Sequence, residues 1–549
     1  MASYHVEEQQ KAQTANRMRL SFGFLGLLLA IVSFLTLATP TPVMFVNDPD
    51  SGLQLAGAFQ ILRGEHPIIQ WASTYGPLVF YASALAQRLS GGVVGAEIAL
   101  CILGYTVAYL LFWHCCRDVS GSRAIALTMT AVALLLLPRF YKYYVVLGPV
   151  LSLALAFRLI ERPSWRSLMI LAIAVALTGL FRPDFGVYAF LGCLPAVLFA
   201  GRQLGCLSAF ATGYLGIVVG AAAPYLLFLV AHGGFLKYLT QQSILPVQLS
   251  SALALPMPWW DAIRRGQEIP TFMFFFALTP VALVVLIKLR HSIEPVLQSK
   301  IACSILLGLL DLGQAMHRSD MGHLLQAIPI SLIVIAWLLG MAWQFRRIAQ
   351  TGRFSTTALV VIGALLSYSV IANSPFVRSL SRFIRVNPVH KLQSYWVPPG
   401  SFLDVAFTPG SEPPVVLAIK KIRTETDPES RIWALPFMPQ MYYLAERKSC
   451  GGLLVLAPGY FTGDRTGKVL ENLGSNPCSL IVESRTLINF DGREDRAPRN
   501  YAPEVFDFID QNYVEVPGVD ETLSRHWRFW KLKRGSDIHT DNNHGSLAG

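Results

Sequence analysis

Asn47-Asp48-Pro49-Asp50 sets two carboxylates around a proline shortly after the first long apolar run of the chain. An aspartate held just above a bilayer can take a proton from an acceptor hydroxyl, which makes Asp50 and Asp48 candidate general bases. Aspartate also N-caps amphipathic helices, and on this loop alone either role stands. A helix over Ser51–Arg63, lying along the membrane, is predicted next, followed by Gly64-Glu65-His66-Pro67 and Thr74-Tyr75-Gly76-Pro77-Leu78.

Three further clusters carry cations. Phe181-Arg182-Pro183-Asp184-Phe185-Gly186 lies between two apolar runs, where an unpaired arginine is expensive. Arg182 can fork two donors onto phosphate oxygens, or it can pair with Asp184 in a turn that caps the next helix. His317-Arg318-Ser319-Asp320-Met321-Gly322-His323 offers a phosphate or sugar contact, a structural polar turn, or a metal site. The metal reading is the weakest, because His317 and His323 do not share a helical face and a third strong ligand is missing. In Arg139-Phe140-Tyr141-Lys142-Tyr143-Tyr144 the mixture of cations and aromatics reads first as an interfacial anchor belt, with Lys142 as a secondary phosphate candidate. Glu97 and Asp311 fall in or near apolar runs, where an acid calls for a test.

The elements that must position these residues are membrane helices. Of 549 residues only 14% are charged and 53% are hydrophobic, a balance foreign to soluble globular chains. The formal charge of +11 is scattered over short connectors, with no basic stripe, so it argues topology and not nucleic acid. The N-terminal segment 1–20 is polar and basic, and Ser21–Ala38 reads as an uncleaved first crossing. Further crossings are predicted over Val93–Trp113, Ala124–Pro138, Tyr143–Ile160, Leu168–Phe181, Phe185–Ala200, Leu207–Ala231, Thr271–Ile287, Ile301–Met316, Leu324–Trp343 and Thr356–Asn373, about eleven in all.

Pro77–Leu89 is apolar but short, and the positive-inside rule decides its place. If it does not cross, the simple basic connectors (Arg117/Arg123, Arg158/Arg162/Arg166, Arg202, Lys288/Arg290/Lys300, Arg346/Arg347/Arg353) all face the cytoplasm with the N-terminus. The motif-bearing segments then share the other face, including the first outer loop (39–92) and His232–Pro270, read as a long outer loop with Gln241, Gln242, Trp259 and Trp260. Pro77–Leu89 is therefore predicted as an interfacial or re-entrant helix. The transmembrane domain spans 21–373 and an extracytoplasmic α/β domain 374–537, with a disordered tail over 538–549. In the second domain Arg431–Leu435, Ser479–Glu483 and Trp527–Leu532 read as strands, and Gln440–Glu446 and Pro503–Asn512 as helices. Six of the eight cysteines sit in or beside apolar runs; Cys450 and Cys478 lie in the soluble part, where a disulfide is open to them.

In its first loop the sequence resembles the GT-C superfamily of polyprenyl-phosphate-sugar-dependent glycosyltransferases. Members typically show an acidic residue after the first membrane helix, an amphipathic helix, a Gly-x-x-Pro, and a Pro-Leu after a short polar stretch. Asp50, Gly64-Glu65-His66-Pro67 and Tyr75-Gly76-Pro77-Leu78 match that order. The family commonly has two prolines before the leucine, where this chain has Gly76-Pro77. The resemblance implies a mostly α membrane fold, a GT-C-like bundle with interfacial helices in the first outer loop, together with the small soluble domain. It implies Asp50, rather than Asp48, as base, and a basic residue near the active site at a turn like that of Arg182. On this reading Arg182, Arg318 and Lys142 hold the donor phosphate, and Glu65, His66, Tyr75, Asp184, His317, Asp320 and His323 are substrate-contact candidates. Arg431–Arg447 resembles a strand-to-helix unit of outer domains in such proteins, which implies acceptor recognition or support of the site.

The expected partners are a polyprenyl-phosphate-linked sugar, a glycan, lipid or protein acceptor, and the membrane; the expected location is a bacterial inner (plasma) membrane. No nucleotide cofactor is implied, since no Gly-rich phosphate loop is visible. Asp48-Pro49-Asp50 resembles the Asp-x-Asp of metal-dependent sugar transferases, which leaves a divalent metal open without claiming one. The rival class is a transporter or flippase, which predicts polar residues spread along mid-membrane helix faces and broken helices in two related halves. An assembly protein with a degenerate site is a third class.

Overall fold

The computed structural model describes residues 31, 41–137, 139–348, 352–374, 393–460, 464–486, 493–516 and 521–533. The expected N-terminal segment 1–20, the first crossing Ser21–Ala38 apart from residue 31, and the tail 538–549 lie outside the described residues. Contacts along the chain group it into two units: Met1–Met44 with Ser73–Pro398, and Phe45–Ala72 with Pro399–Gly549.

The first unit is helical because its apolar runs are long and their ends are marked. Ser122 and Ser164 accept the amides of Ile125 and Ser167 at helix starts, while Gly91 and Gly121 close helices in the left-handed conformation. Among the described residues eight helices are long and apolar enough to cross a bilayer: Val94–Ser120, Tyr143–Glu161, Pro183–Gln203, Leu207–Ala231, Gly266–Leu289, Pro295–His317, Met321–Gln344 and Thr356–Asn373. The chain is an integral membrane protein. Arg123–Leu135 and Trp165–Phe181, both expected as crossings, are apolar helices of 13 and 17 residues. Burial sorts the bundle: Met321–Gln344 is 83% buried over its apolar window and Leu207–Ala231 only 11%, so the former is central and the latter peripheral.

The expected crossing Phe185–Ala200 lies within the span Pro183–Gln203, whose helix is interrupted at Cys193 into Pro183–Gly192 and Leu194–Gln203, where Pro195 cannot donate to the preceding turn. The segment His232–Pro270 is not an open loop: Phe235–Ala252 forms an 18-residue helix through Pro246. Its glutamines and serines disguise it, since they interrupt the apolar run expected of a crossing. Pro77–Ser90 is a helix, as expected, closed by Gly91.

The second unit is built on a five-stranded sheet of order β2-β1-β3-β5-β4. Its strands are β1 (Arg431–Leu435), β2 (Lys448–Ser449), β3 (Leu480–Ser484), β4 (Tyr513–Glu515) and β5 (Trp527–Leu532). β1 runs parallel to β2 and β3, whereas β5 pairs antiparallel with β3 and β4. Ile432, Ala434, Ile481, Val482 and Phe529 are buried in this sheet. Cys450 and Cys478 form a disulfide with Cα atoms 5.7 Å apart.

The expected domain boundary at 374 assigns the whole first loop to the membrane domain; the contacts instead group Phe45–Ala72 with the sheet. Pro49–Leu62 packs on the helix Gln440–Ala445 so tightly that a Cβ at Gly52 would lie 2.6 Å from Gln440 Cβ. Gln440 Nε2 donates to the Val46 carbonyl at 2.9 Å, Arg63 pairs with Glu429 at 2.7 Å, and Ala72 N–H donates to the Gly452 carbonyl at 3.0 Å.

Candidate functional site

The polar clusters of the first unit converge on one cavity of about 520 Å³. Thr74 and Tyr75 reach it from the first loop, Lys142 from the turn before Tyr143–Glu161, and Arg182, Asp184 and Tyr188 from the turn and helix after Trp165–Phe181. Gln242 and Ser250 come from the helix Phe235–Ala252, Gln314 and His317 from the end of Pro295–His317, Arg318 from the turn beyond it, and His323 from the start of the helix Met321–Ile348.

Several of these groups are held by their neighbours. Gly76 N–H donates to the Phe181 carbonyl at 3.0 Å, and Gln241 and Gln242 clasp the Ser73 backbone at 3.2 and 3.0 Å. These bonds seat the Tyr75 ring between two cations: Arg182 Cζ lies 5.8 Å and Lys142 Nζ 6.0 Å from its centroid. Arg182 forks onto Asp184, Nε to Oδ1 at 2.9 Å and Nη2 to Oδ2 at 2.5 Å. The turn proposed as the structural role of this pair therefore forms, and it forms at the cavity wall. Burial disfavours the charge on Arg182, but the Asp184 carboxylate outweighs it, so the guanidinium is held above its ordinary pKa.

On the opposite wall Arg318 Nε donates to Asp320 Oδ2 at 2.9 Å and Nη1 donates to the Leu253 carbonyl at 2.9 Å. His323 N–H and Nδ1 both lie 2.8 Å from Asp320 Oδ1. Burial would raise the Asp320 pKa, yet the hydrogen bonds from His323 and the Arg318 charge hold it well below the usual carboxylate range. Asp320 thus acts as a hinge between Arg318 and His323, which line the cavity while Asp320 does not. With Lys142, Arg182 and Arg318 set against Asp184 and Asp320, cations outnumber carboxylates, and an anion of phosphate size is favoured.

Asp48 and Asp50 belong to the second unit. Asp48 is the N-cap of Pro49–Leu62, its Oδ1 accepting the Asp50 N–H at 3.1 Å, and Asp50 sits in the first turn. The capping role left open between them falls to Asp48. Glu65 forms an ion pair with Arg431 of β1, and the His66 N–H donates to Gln70 Oε1 at 2.7 Å. Neither Glu65 nor His66 lines the cavity. Among the described residues no group of three or more His, Cys, Asp or Glu side chains is arranged to hold a metal.

Three polar cavity residues escaped the sequence reading: Tyr188, Ser250 and Gln314. The available signal was polarity inside an apolar run, which marks Gln314 in particular. Gln314 Oε1 and Gln242 Oε1 accept no hydrogen bond among the described residues, nor does Oδ1 of the buried Asp311 one turn before Gln314. Glu97, the other intramembrane acid, is buried and accepts the Ser83 hydroxyl.

No family model and no curated protein matches the chain in sequence. In structure the chain is similar to ArnT from Cupriavidus metallidurans in the apo state, at 13% identity and a TM-score of 0.48, over 94% of this chain and 98% of that one. It is similar over the same shares to ArnT from Cupriavidus metallidurans bound to undecaprenyl phosphate, at 11% identity and a TM-score of 0.48.

Proposed function

We propose that the chain is a membrane glycosyltransferase that moves a sugar from a polyprenyl phosphate to an acceptor at the outer face of the membrane. The observation that supports this is the cavity in which Lys142, Arg182 and Arg318, from three distant segments, line one space with polar groups able to meet sugar hydroxyls. Lys142, Arg182 and Arg318 bind the phosphate of the donor. The acceptor oxygen attacks the anomeric carbon, the bond from that carbon to the phosphate oxygen breaks, and polyprenyl phosphate leaves with the bonding electrons. The cations stabilise the charge that grows on that oxygen. Asp50 takes the acceptor proton, since Asp48 is spent as a helix cap and the resemblance in the first loop favours Asp50. A disulfide in the second unit fits an extracytoplasmic location for that unit.

Reconstitution in proteoliposomes tests the proposal. With a radiolabelled polyprenyl-phosphate sugar and a membrane acceptor fraction, label passes to the acceptor and polyprenyl phosphate is released in equal amount. Vectorial movement of the labelled lipid without cleavage would replace this reading with the transporter class.

A further inference from the structure

A second cavity, of about 340 Å³, lies at the other end of the helix Tyr143–Glu161 from Lys142. That helix has 19 residues and is roughly 28 Å long, close to the thickness of a hydrocarbon core, so Lys142 and the charged residues Arg158, Glu161 and Arg162 of the second cavity stand near opposite ends of it. The second cavity runs along the packed helices Val94–Ser120 and Tyr143–Glu161. Its inner part is apolar, with Leu111, Leu151 and Leu155, and its mouth carries Asp118, Arg158, Glu161 and Arg162.

The charges at the mouth do not cancel. Lys300, itself buried, forms ion pairs with both carboxylates, at 3.6 Å to Asp118 and closely to Glu161, and Arg117 adds a second contact to Asp118 at 3.1 Å. Arg158 and Arg162 are exposed and make no ion pair or side-chain hydrogen bond among the described residues. They stand one helical turn apart, a spacing at which like charges repel. A phosphodiester set between the two guanidinium groups removes that repulsion and meets their donors, while an acyl chain covers the leucines behind it.

We infer that Arg158 and Arg162, with the Leu111–Leu151–Leu155 groove, form a binding site for an anionic phospholipid of the leaflet opposite the first cavity. This inference does not depend on the glycosyl-transfer reading, because it uses neither that cavity nor its residues. The occupant is assigned by charge and shape together: two unmatched cations require an anionic headgroup, and an apolar groove opening beside them requires a chain attached to it.

Native mass spectrometry of the full-length protein released from detergent tests it, with palmitoyl-oleoyl phosphatidylglycerol and phosphatidylcholine titrated separately. Phosphatidylglycerol binds more tightly to the wild type, and Arg158→Gln/Arg162→Gln weakens it about thirtyfold, the worth of two cations near a lipid phosphate, while phosphatidylcholine is unaffected. Leu155→Trp, which fills the groove and leaves both arginines in place, also weakens phosphatidylglycerol. If the double variant melts below the wild type, Arg162→Gln alone, at the helix end, carries the comparison with a smaller loss. Equal affinity for the two lipids, or unchanged phosphatidylglycerol binding in the arginine variants, overturns the site. Displacement of phosphatidylglycerol by a lower concentration of polyprenyl phosphate overturns the assignment to a phospholipid.

Discussion

The amide of Gly76 donates a 3.0 Å hydrogen bond to the carbonyl of Phe181, and this one bond ties the first-loop motif to the turn that carries Arg182. The approach is so close that a Cβ on Gly76 would lie 2.1 Å from the Leu180 carbonyl oxygen. Gly76→Ala must push the two segments apart, moving the Tyr75 ring off Arg182. Overpacking of this kind costs about 1–3 kcal/mol, so the variant melts at a lower temperature and its KM for the donor rises. Gly76→Pro recreates the paired prolines common in the family the loop resembles, but it removes the donor to Phe181 and fares worse. Wild-type donor KM in both variants would show that this contact does not set the site.

Arg182 and Asp184 separate binding from architecture. Loss of a charge-assisted hydrogen bond costs about 1.5–3 kcal/mol, so Arg182→Gln lowers kcat/KM for the donor by roughly 10–100-fold. Arg182→Lys keeps the charge and loses the fork, and recovers little of that activity. Asp184→Asn keeps one acceptor for the guanidinium and costs less than either. Steady-state kinetics with labelled donor order the three variants.

Asp50→Asn keeps the shape of the side chain and removes the base, so turnover falls by roughly 10²–10⁴-fold while donor binding and folding are retained. Asp48→Asn keeps the cap on Pro49–Leu62 and retains activity, whereas Asp48→Ala destabilises the helix by about 1 kcal/mol. Single-turnover rates alongside thermal melts distinguish the two aspartates. Retained turnover in Asp50→Asn with loss in Asp48→Asn would transfer the base to Asp48.

The disulfide between Cys450 and Cys478 closes a loop with a sequence separation of 28. Replacing both with serine releases that constraint on the unfolded chain and costs about 3.5 kcal/mol by the loop-entropy relation. Hydrogen exchange in peptides covering β1 and β3 rises accordingly, while exchange in the helix Met321–Ile348 stays as in the wild type.

Glu425, the last residue of the helix Pro414–Glu425, joins that helix to the sheet, accepting Lys421 Nζ at 2.8 Å and Lys531 Nζ of β5 at 2.5 Å. The hydrogen bond from Lys421, with that from Lys531, pulls its pKa from 4.5 down to about 2. A carboxylate with a depressed folded-state pKa stabilises fully above its unfolded value and loses that contribution as pH falls through the folded one. Exchange protection of peptides 414–425 and 527–532 therefore declines between about pH 4.5 and about pH 2. Glu425→Gln is less protected at neutral pH and shows a shallower decline over that window.

Elements whose signal is local can be read from the residues themselves. β1 and β5 match the expected Arg431–Leu435 and Trp527–Leu532, and the helix Pro503–Asn512 matches as well, because alternation, helical period and a leading proline act between near neighbours. The Arg182 and His317–His323 clusters were visible for the same reason: charge between apolar runs stands out wherever it is later placed. Tertiary structure alone decided the rest. Nothing near Gly52 announces Gln440, and nothing near Glu65 announces Arg431, yet those contacts group the loop over Phe45–Ala72 with the sheet of the second unit. The helix Phe235–Ala252 reads as a loop until Gln241 and Gln242 are seen holding the Ser73 backbone, with Gln242 lining the cavity. Periodicity and capping are properties of adjacent residues, whereas a contact between distant segments depends on the shape and unmet hydrogen-bonding capacity of surfaces that exist only once both have folded.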